Sequence, residues 1–569
     1  MAIAITFVNS TMSSQAEKAV TSTLIMLVSF ATLPILVYFA RHRLDARLSD
    51  LGLLILATAS TLLFAIYLFT ASYYVCLSAD ILIWSESDFV NDILKYRNDY
   101  PIFSAEVNNE SFTYTPGTQL LTSVLAQIAG QPDSIPVYRM IQVGYSILAA
   151  ILALLCVQRL VKRVSPEDSN AFHSPLWTVV CLIGSFLIAT NTATNPFAHL
   201  LHNDALAQLL TVAAFWLLLI FDDARDKRIL WLMAILPAVG FWVKQSLIIW
   251  AIFYLAFLVI FDRDRSVKRI IGFAVCSFGG VLFSAAIGYW LWQDDFVYWV
   301  FTVLGEHGVS PLRSFRHLLS IWPYYAVGLL GGLVLMQVGE LKKFFGLWLI
   351  WLGLISLETY TSGVAWMLNH IGPGCLIAGT WFFAGLFTIW NRFPKVTIRA
   401  AGAKGWLLIW VATTVVCLLF SGLSLVRVPV EPFDYADAKR YIGEIENEFV
   451  GQPKGSILLD LGTWVYVSDG IVMKDRAPSI GERGYSQTGD FSGILERLKR
   501  RQYKKILIRN FHSTDFWYDH ELWSKSSGIR QALQENYKET GRIKAVGGLK
   551  PEELPYGFSE ISILVPRTK

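Results

Sequence analysis

The chain has 569 residues, 54% of them hydrophobic and only 16% charged, with a formal net charge of +4. A mean hydropathy of +0.46 excludes an ordinary soluble globular protein and a disordered chain, neither of which combines this much apolar surface with so few charges. No basic stripe with interleaved aromatics is present, so nucleic acid is not an expected partner.

In chain order, about twelve apolar stretches are expected to cross a bilayer, which takes about 20 helical residues. They are 19–40, 51–73, 137–158, 176–195, 205–221, 229–242, 246–261, 270–292, 319–338, 344–357, 372–390 and 406–426. The runs 229–242 and 344–357 are short, so a merged or re-entrant pair would change the count. The first run is ended by ArgHisArg and lacks a small-residue cleavage site, so it is expected as a retained span. Six Cys stand at 76, 156, 181, 276, 375 and 417 with no CxxC pair; buried structural thiols are the expectation.

Lys and Arg sort the connections into two sets. One set holds ArgHisArgLeuAspAlaArg (41–47), ArgLeuValLysArg (159–163), 222–228, 262–269, LysLys (342–343) and 391–404, with 19 Lys/Arg in all. The alternate set is nearly free of positive charge and offers SerGluSerAsp (85–88), HisAsnAsp (202–204), LysGlnSer (244–246), GluHis (306–307) and AsnHis (369–370). By the positive-inside rule the first set is cytoplasmic. The polar side chains suited to chemistry then share the outer rim, and the chain after 426 lies outside.

Two segments are not spans. The first outer loop, 74–136, carries a polar helix (SerAspPheValAsnAspIleLeuLysTyr, 87–96), a turn-rich middle and an amphipathic helix (118–128); such helices commonly lie in the interface plane. From 427 the composition turns charged and turn-rich. Residues 456–461, 505–509 and 561–565 read as buried strands and 490–501 and 527–537 as helices, which predicts a small α/β domain over 427–569. No GxGxxG follows a strand there, so no nucleotide site is expected. The expected architecture is a polytopic α-helical membrane protein, 1–426, with an extracytoplasmic α/β domain.

Each rim residue has two readings. Glu86 and Asp88 cannot share one helix face at this spacing; either is a general base or a solvated loop acid. His202 and Asp204 bind substrate, or Asn203 and Asp204 cap the following helix. Lys244, beside Gln245 between two apolar stretches, meets a lipid phosphate or snorkels to headgroups. Arg139 is an anion binder or an interfacial anchor. His307, near Arg313, Arg316 and His317, and the pair Asn369 and His370 supply further loops with His on the same face. These His could ligand a divalent cation (Mg or Mn) with Asp88 or Glu86, although their spacing does not define a metal site; direct hydrogen bonds to phosphate or sugar hydroxyls need no metal.

The first loop continues AspIleLeuLysTyrArgAsnAspTyrProIlePhe (92–103) and PheThrTyrThrProGlyThrGlnLeuLeu (112–121), which includes Tyr114. An acidic residue in the first outer loop, an amphipathic helix, and an aromatic–X–Pro turn before a second interfacial helix resemble the GT-C glycosyltransferases. That superfamily includes protein O-mannosyltransferases, lipid A aminoarabinose transferases and bacterial polyprenol-dependent mannosyl- and arabinofuranosyltransferases. The extra span before the usual first one departs from the simplest layout.

The resemblance implies a polyprenyl-phosphate sugar donor, an envelope glycan, lipid or protein acceptor, Asp88 as base with Glu86 its rival, and Lys244–Gln245 at the donor phosphate. It also implies a site on the outer face; a bacterial inner membrane is expected because no ER retention signal is present. Two other classes stay open. A lipid-linked sugar transporter or flippase would hold ionisable groups near the bilayer midplane. An O-antigen ligase or polymerase would favour an Arg-bearing loop between late spans, and the loop before the ninth run has two Arg.

Overall fold

The computed structural model describes residues 46–392 and 434–568, apart from 84, 105–112, 165–173, 193, 263, 265, 365–367, 461, 474, 476–489, 510, 513–527 and 548–557. The expected spans 19–40 and 406–426 lie outside the described residues.

Helix α1 (Ala46–Val75) leads into the first loop, whose helices are α2 (Glu86–Arg97) and α3 (Gly117–Ile128). There follow α4 (Ile135–Val164), α5 (Pro175–Ala189), α6 (Asp204–Ala224), α7 (Lys227–Val243), a 3₁₀ turn Gln245–Ile248 running into α8 (Ile249–Ile260), α9 (Val267–Val297), α10 (Pro311–Val338), α11 (Leu341–Thr361) and α12 (Gly372–Arg392). Among the described residues five helices are long and apolar enough to cross a membrane, or six if Pro311–Leu319 and Tyr324–Val338, which meet at 66°, form one broken span. Pro175–Ala189, Gln245–Ile260 and Gly372–Thr388 are shorter apolar helices.

Local chemistry explains the helix ends that matter. Arg225 adopts the left-handed conformation (φ 53°) and stops α6, and Asp226 caps α7 by accepting from the Arg228 N–H at 2.8 Å. Only these two residues join the helices, so α6 and α7 must run antiparallel. Their lengths of 21 and 17 residues differ by about 6 Å at 1.5 Å per residue. The start of α6 and the end of α7 therefore share one end of the bundle. Elsewhere α10 packs closely on α12, because a Cβ on Gly331 would collide with the Trp381 carbonyl and Gly385 faces Gly331; small residues let backbones approach.

The C-terminal part contains α13 (Tyr435–Phe449), β1 (Ile457–Leu459), the single turn α14 (Trp464–Val467), α15 (Ser492–Lys499), β2 (Lys505–Arg509), α16 (Ile529–Asn536), β3 (Tyr537–Ile543) and β4 (Ile561–Pro566). The sheet order is β1-β2-β4-β3, with β1 parallel to β2 and the other pairs antiparallel. Strand β2 sits inside, and Ile506, Leu507 and Ile508 are all buried, as a strand covered on both faces requires. Strand β3 was not expected. Its sequence TyrLysGluThrGlyArgIle alternates charge with exposure, the composition of an edge strand, and it lacks the apolar run that marked the others.

Two further departures bear on the site. Helix α2, expected in the interface plane, is buried throughout from Glu86 to Lys95. The reason is that the C-terminal residues do not form a core of their own. Ile457, Leu458, Tyr466 and Leu507 share one apolar cluster with Leu77, Ile81, Phe89, Val90 and Ile93 of the first loop.

Candidate functional site

The antiparallel α6–α7 hairpin brings together residues 40 positions apart. Lys244, at the break between α7 and the 3₁₀ turn, donates from Nζ to Asp204 Oδ1 at 2.5 Å. Asp204 Oδ2 accepts from Asn369 Nδ2 at 3.1 Å, and His202 Nδ1 lies 2.8 Å from the same oxygen. All four residues are buried. Four expected site residues thus form one hub, with Asp204 at its centre as the counter-ion of Lys244.

Aromatic rings wall the hub. His202 stacks on Phe197 with centroids 4.0 Å apart and meets Phe89 at 4.6 Å and Tyr114 at 5.7 Å. Lys244 lies over the Tyr114 ring at 5.8 Å, a cation–π arrangement. Burial holds His202 below its ordinary pKa, with Asp204 opposing. Phe89 is the neighbour of Asp88, so these contacts set the first turn of α2, with buried Asp88 in it, beside the hub. Gln245 donates to the Thr113 carbonyl at 2.8 Å and Thr115 to the Phe241 carbonyl at 2.6 Å. Gln245 therefore ties down the turn that carries Tyr114.

Glu86 and Arg139 are placed otherwise. Arg139 Nε and Nη2 donate to Glu86 Oε1 and Oε2 at 2.8 and 2.6 Å. Its remaining donors reach the carbonyls of Tyr74 (2.7 Å), Leu77 (2.8 Å) and Ala79 (2.8 Å). A guanidinium has five N–H donors, and all five are taken, which leaves Arg139 none for a substrate anion. Glu86 also accepts from the Leu201 N–H at 3.0 Å. The pair is a buried staple joining α4, the end of α1, α2 and the 190–203 loop; the expectations of Arg139 as anion binder and Glu86 as rival base do not fit this geometry.

His370, next to Asn369, is pushed well below its ordinary pKa by burial and by the charge of Lys244. His307 is held by its own turn, Nδ1 lying 2.8 Å from the Val303 carbonyl. Arg313 donates to the Gly363 and Val364 carbonyls at 3.3 and 3.2 Å. His370 lies within electrostatic reach of His202 and His317, but among the described residues no three His, Cys, Asp or Glu are arranged to hold a metal ion.

Sequence reading missed several residues. Glu358, near the end of α11, accepts from the Gly374 N–H at 2.9 Å; a lone Glu beside an apolar run is costly in a membrane and was the available signal. Asn91 is buried with neither amide atom hydrogen-bonded, and so is Asn203, which the sequence offered as a cap but which makes no side-chain cap bond to α6. Asp80 accepts from the Thr463 N–H at 2.9 Å and the Trp464 N–H at 3.0 Å, while Thr463 Oγ1 donates to the Ser87 carbonyl at 2.8 Å. Those bonds fasten the C-terminal part to the residue preceding Asp88. Burial, then the negative charge of Glu86, raise the Asp80 pKa to about 6.

No protein-family model matches the chain, and no curated protein matches it by sequence. Solved structures nonetheless share the fold. ArnT from Cupriavidus metallidurans aligns with a TM-score of 0.50 and 10% identity over 89% of this chain and 97% of that one. The Archaeoglobus fulgidus oligosaccharyltransferase in the apo form gives 0.47 at 11% identity, over 84% and 73%. AglB from the same organism, solved with an inhibitory peptide and a dolichol-phosphate, gives 0.46 at 12%, over 84% and 73%. At these identities the likeness concerns the fold alone.

Proposed function

We propose that the protein is an inverting glycosyltransferase that moves a sugar from a polyprenyl-phosphate donor to a hydroxyl of an envelope glycan, lipid or protein acceptor. The observation that carries this reading is the buried Asp204–Lys244 pair, gathered with His202, Asn369 and Tyr114 beside the helix turn that bears Asp88. An ammonium has three donors; Asp204 takes one and fixes the direction of the others, so Lys244 can meet the donor phosphate. Fixed charge in a dry site stabilises the growing negative charge of the leaving group without reorganisation.

In the proposed reaction the acceptor oxygen bonds to the anomeric carbon as the bond from that carbon to the phosphate oxygen breaks. The acceptor proton passes to Asp88, and polyprenyl phosphate leaves. Direct displacement inverts the anomeric carbon. The amides of Asn91 and Asn203 suit sugar hydroxyls, and the Glu86–Arg139 staple holds the first turn of α2 in place. The α/β part, through its described residues that share an apolar cluster with the first loop, covers that loop on the outer face of a bacterial inner membrane. A transporter would place its ionisable groups at the midplane; here they gather at helix ends.

The test is donor turnover by the purified protein, with a panel of polyprenyl-phosphate sugars and a crude envelope acceptor, followed as polyprenyl phosphate release. A positioned base supplies about 10²–10⁴-fold, so Asp88→Asn should lose that much while melting like the wild type. Equal release by both would remove Asp88 from the mechanism, and no release with any donor would remove the transferase reading. Parallel runs with Mg²⁺, Mn²⁺ and EDTA decide whether a cation assists Lys244 at the phosphate.

A further inference from the structure

Four of the positively charged connections, far apart in sequence, meet at the other end of the bundle. The ends of α4, α6 and α8 and the starts of α9 and α11 enclose a cavity of about 640 Å³, within the usual range for a small-ligand site. None of its residues belongs to the hub.

Its wall is an alternating chain of four Arg and four Asp. Asp223 pairs with Arg159 at 3.1 Å and with Arg163 at 2.8 Å. Arg163 reaches Asp222 at 2.7 Å, and Asp222 accepts from Arg225 at 2.5 Å. Arg225 continues to Asp262, which binds Arg269 at 2.8 Å, and Arg269 ends on Asp264. Arg163 also donates to the carbonyls of Lys343 and Leu219 at 2.9 and 2.8 Å, so the wall is tied to α6 and α11.

These eight charges cancel. The lining also includes Lys162, Lys342 and Lys343, and among the described residues none of the three pairs with a wall aspartate; Lys343 meets Glu340 outside the cavity at 3.1 Å. The cavity therefore carries surplus positive charge on a built, neutral frame, at helix ends where headgroups lie. We infer that this cavity binds a phosphate-bearing anion, supplied either as an anionic lipid headgroup or as a soluble phosphate. Basic pockets between helices at this depth bind such headgroups. The inference does not depend on the reaction proposed above.

The experiment uses the full chain in neutral detergent and follows thermal unfolding by tryptophan fluorescence. Short-chain phosphatidylglycerol, short-chain phosphatidylcholine, inorganic phosphate and pyrophosphate are titrated in turn. Each lysine beside an anionic surface is worth roughly fivefold in affinity, so Lys162→Gln/Lys342→Gln/Lys343→Gln should weaken binding on the order of 100-fold. Stabilisation by phosphatidylglycerol but not phosphatidylcholine, lost in the triple variant, supports the inference with a lipid source. The same lysine-dependent shift from pyrophosphate or phosphate alone supports it with a soluble source. Should the triple variant fail to fold, Lys342→Gln, on an exposed side chain, should still weaken binding about fivefold. No shift with any phosphate compound, or a shift that the lysine substitutions leave unchanged, overturns it.

Discussion

Glu86→Gln separates a structural carboxylate from a catalytic one. In the wild type both side chains of the Glu86–Arg139 pair are completely buried, and Glu86 accepts three hydrogen bonds, two from Arg139 and one from Leu201. The amide keeps one acceptor oxygen and turns two N–H donors toward groups that themselves donate. One charge-assisted bond is lost, about 1.5–3 kcal/mol, and the Arg139 charge is left uncompensated in a dry site. Breaking a buried pair from one side costs about 3–5 kcal/mol, and the two figures overlap because they describe the same loss. The expected result is a clearly lowered melting temperature, read by tryptophan fluorescence in detergent. Donor turnover, assayed well below that temperature, should fall with the folded fraction, unlike the selective loss in Asp88→Asn. Arg139→Lys should melt lower as well, since three donors cannot replace five. A Glu86→Gln protein that melts like the wild type yet has lost 100-fold or more in turnover would refute the staple and return Glu86 to the reaction.

Lys244→Met should abolish donor turnover and destabilise, because Asp204 stays buried with its cation gone; adding Asp204→Asn should raise the melting temperature above that of the single variant, and a lower value would mean that the two do not act as a pair. Acid should destabilise the fold. His199, held down at about 4 by burial, and the depressed His202 and His370 contribute stability that is present above the ordinary His value of 6.5 and lost as pH falls toward their folded values. Asp80, raised from 3.8 to about 6, acts in the opposite sense, its contribution lost as pH rises through 6. His199 and Asp80 are each worth ~3 kcal/mol by their shifts and act against one another. Melting temperatures from pH 7 to 5 should therefore fall, and fall more steeply in Asp80→Asn; a shallower slope in that variant would contradict the assignment. Thr463→Val, which removes the bond to the Ser87 carbonyl, should expose the chain near 460 to limited proteolysis and lower turnover without changing the sugar preferred.

The apolar, membrane-length helices and the grouping of the polar residues at one end of them were legible in the sequence because both rest on properties of single segments. Apolar length needs no partner to be recognised, and Lys/Arg asymmetry survives any arrangement of the helices. His202, Asp204, Lys244 and Asn369 could be selected from their common side, and Tyr114 from the turn that holds it. Their mutual geometry could not, since the Lys244–Asp204 bond depends on a two-residue turn at 225–226 whose left-handed Arg225 has no sequence signature like that of glycine. The roles of Glu86 and Arg139 were open for the same reason: a carboxylate two residues from Asp88 reads alike whether it faces substrate or a guanidinium 53 positions away, and only the folded chain counts Arg139's five acceptors. The cover over the first loop and the charged cavity at the far end are also tertiary facts. Apolar pattern reports that a strand or helix is buried but not against what, and a run of Lys and Arg reports its sign but not which aspartates will cancel it.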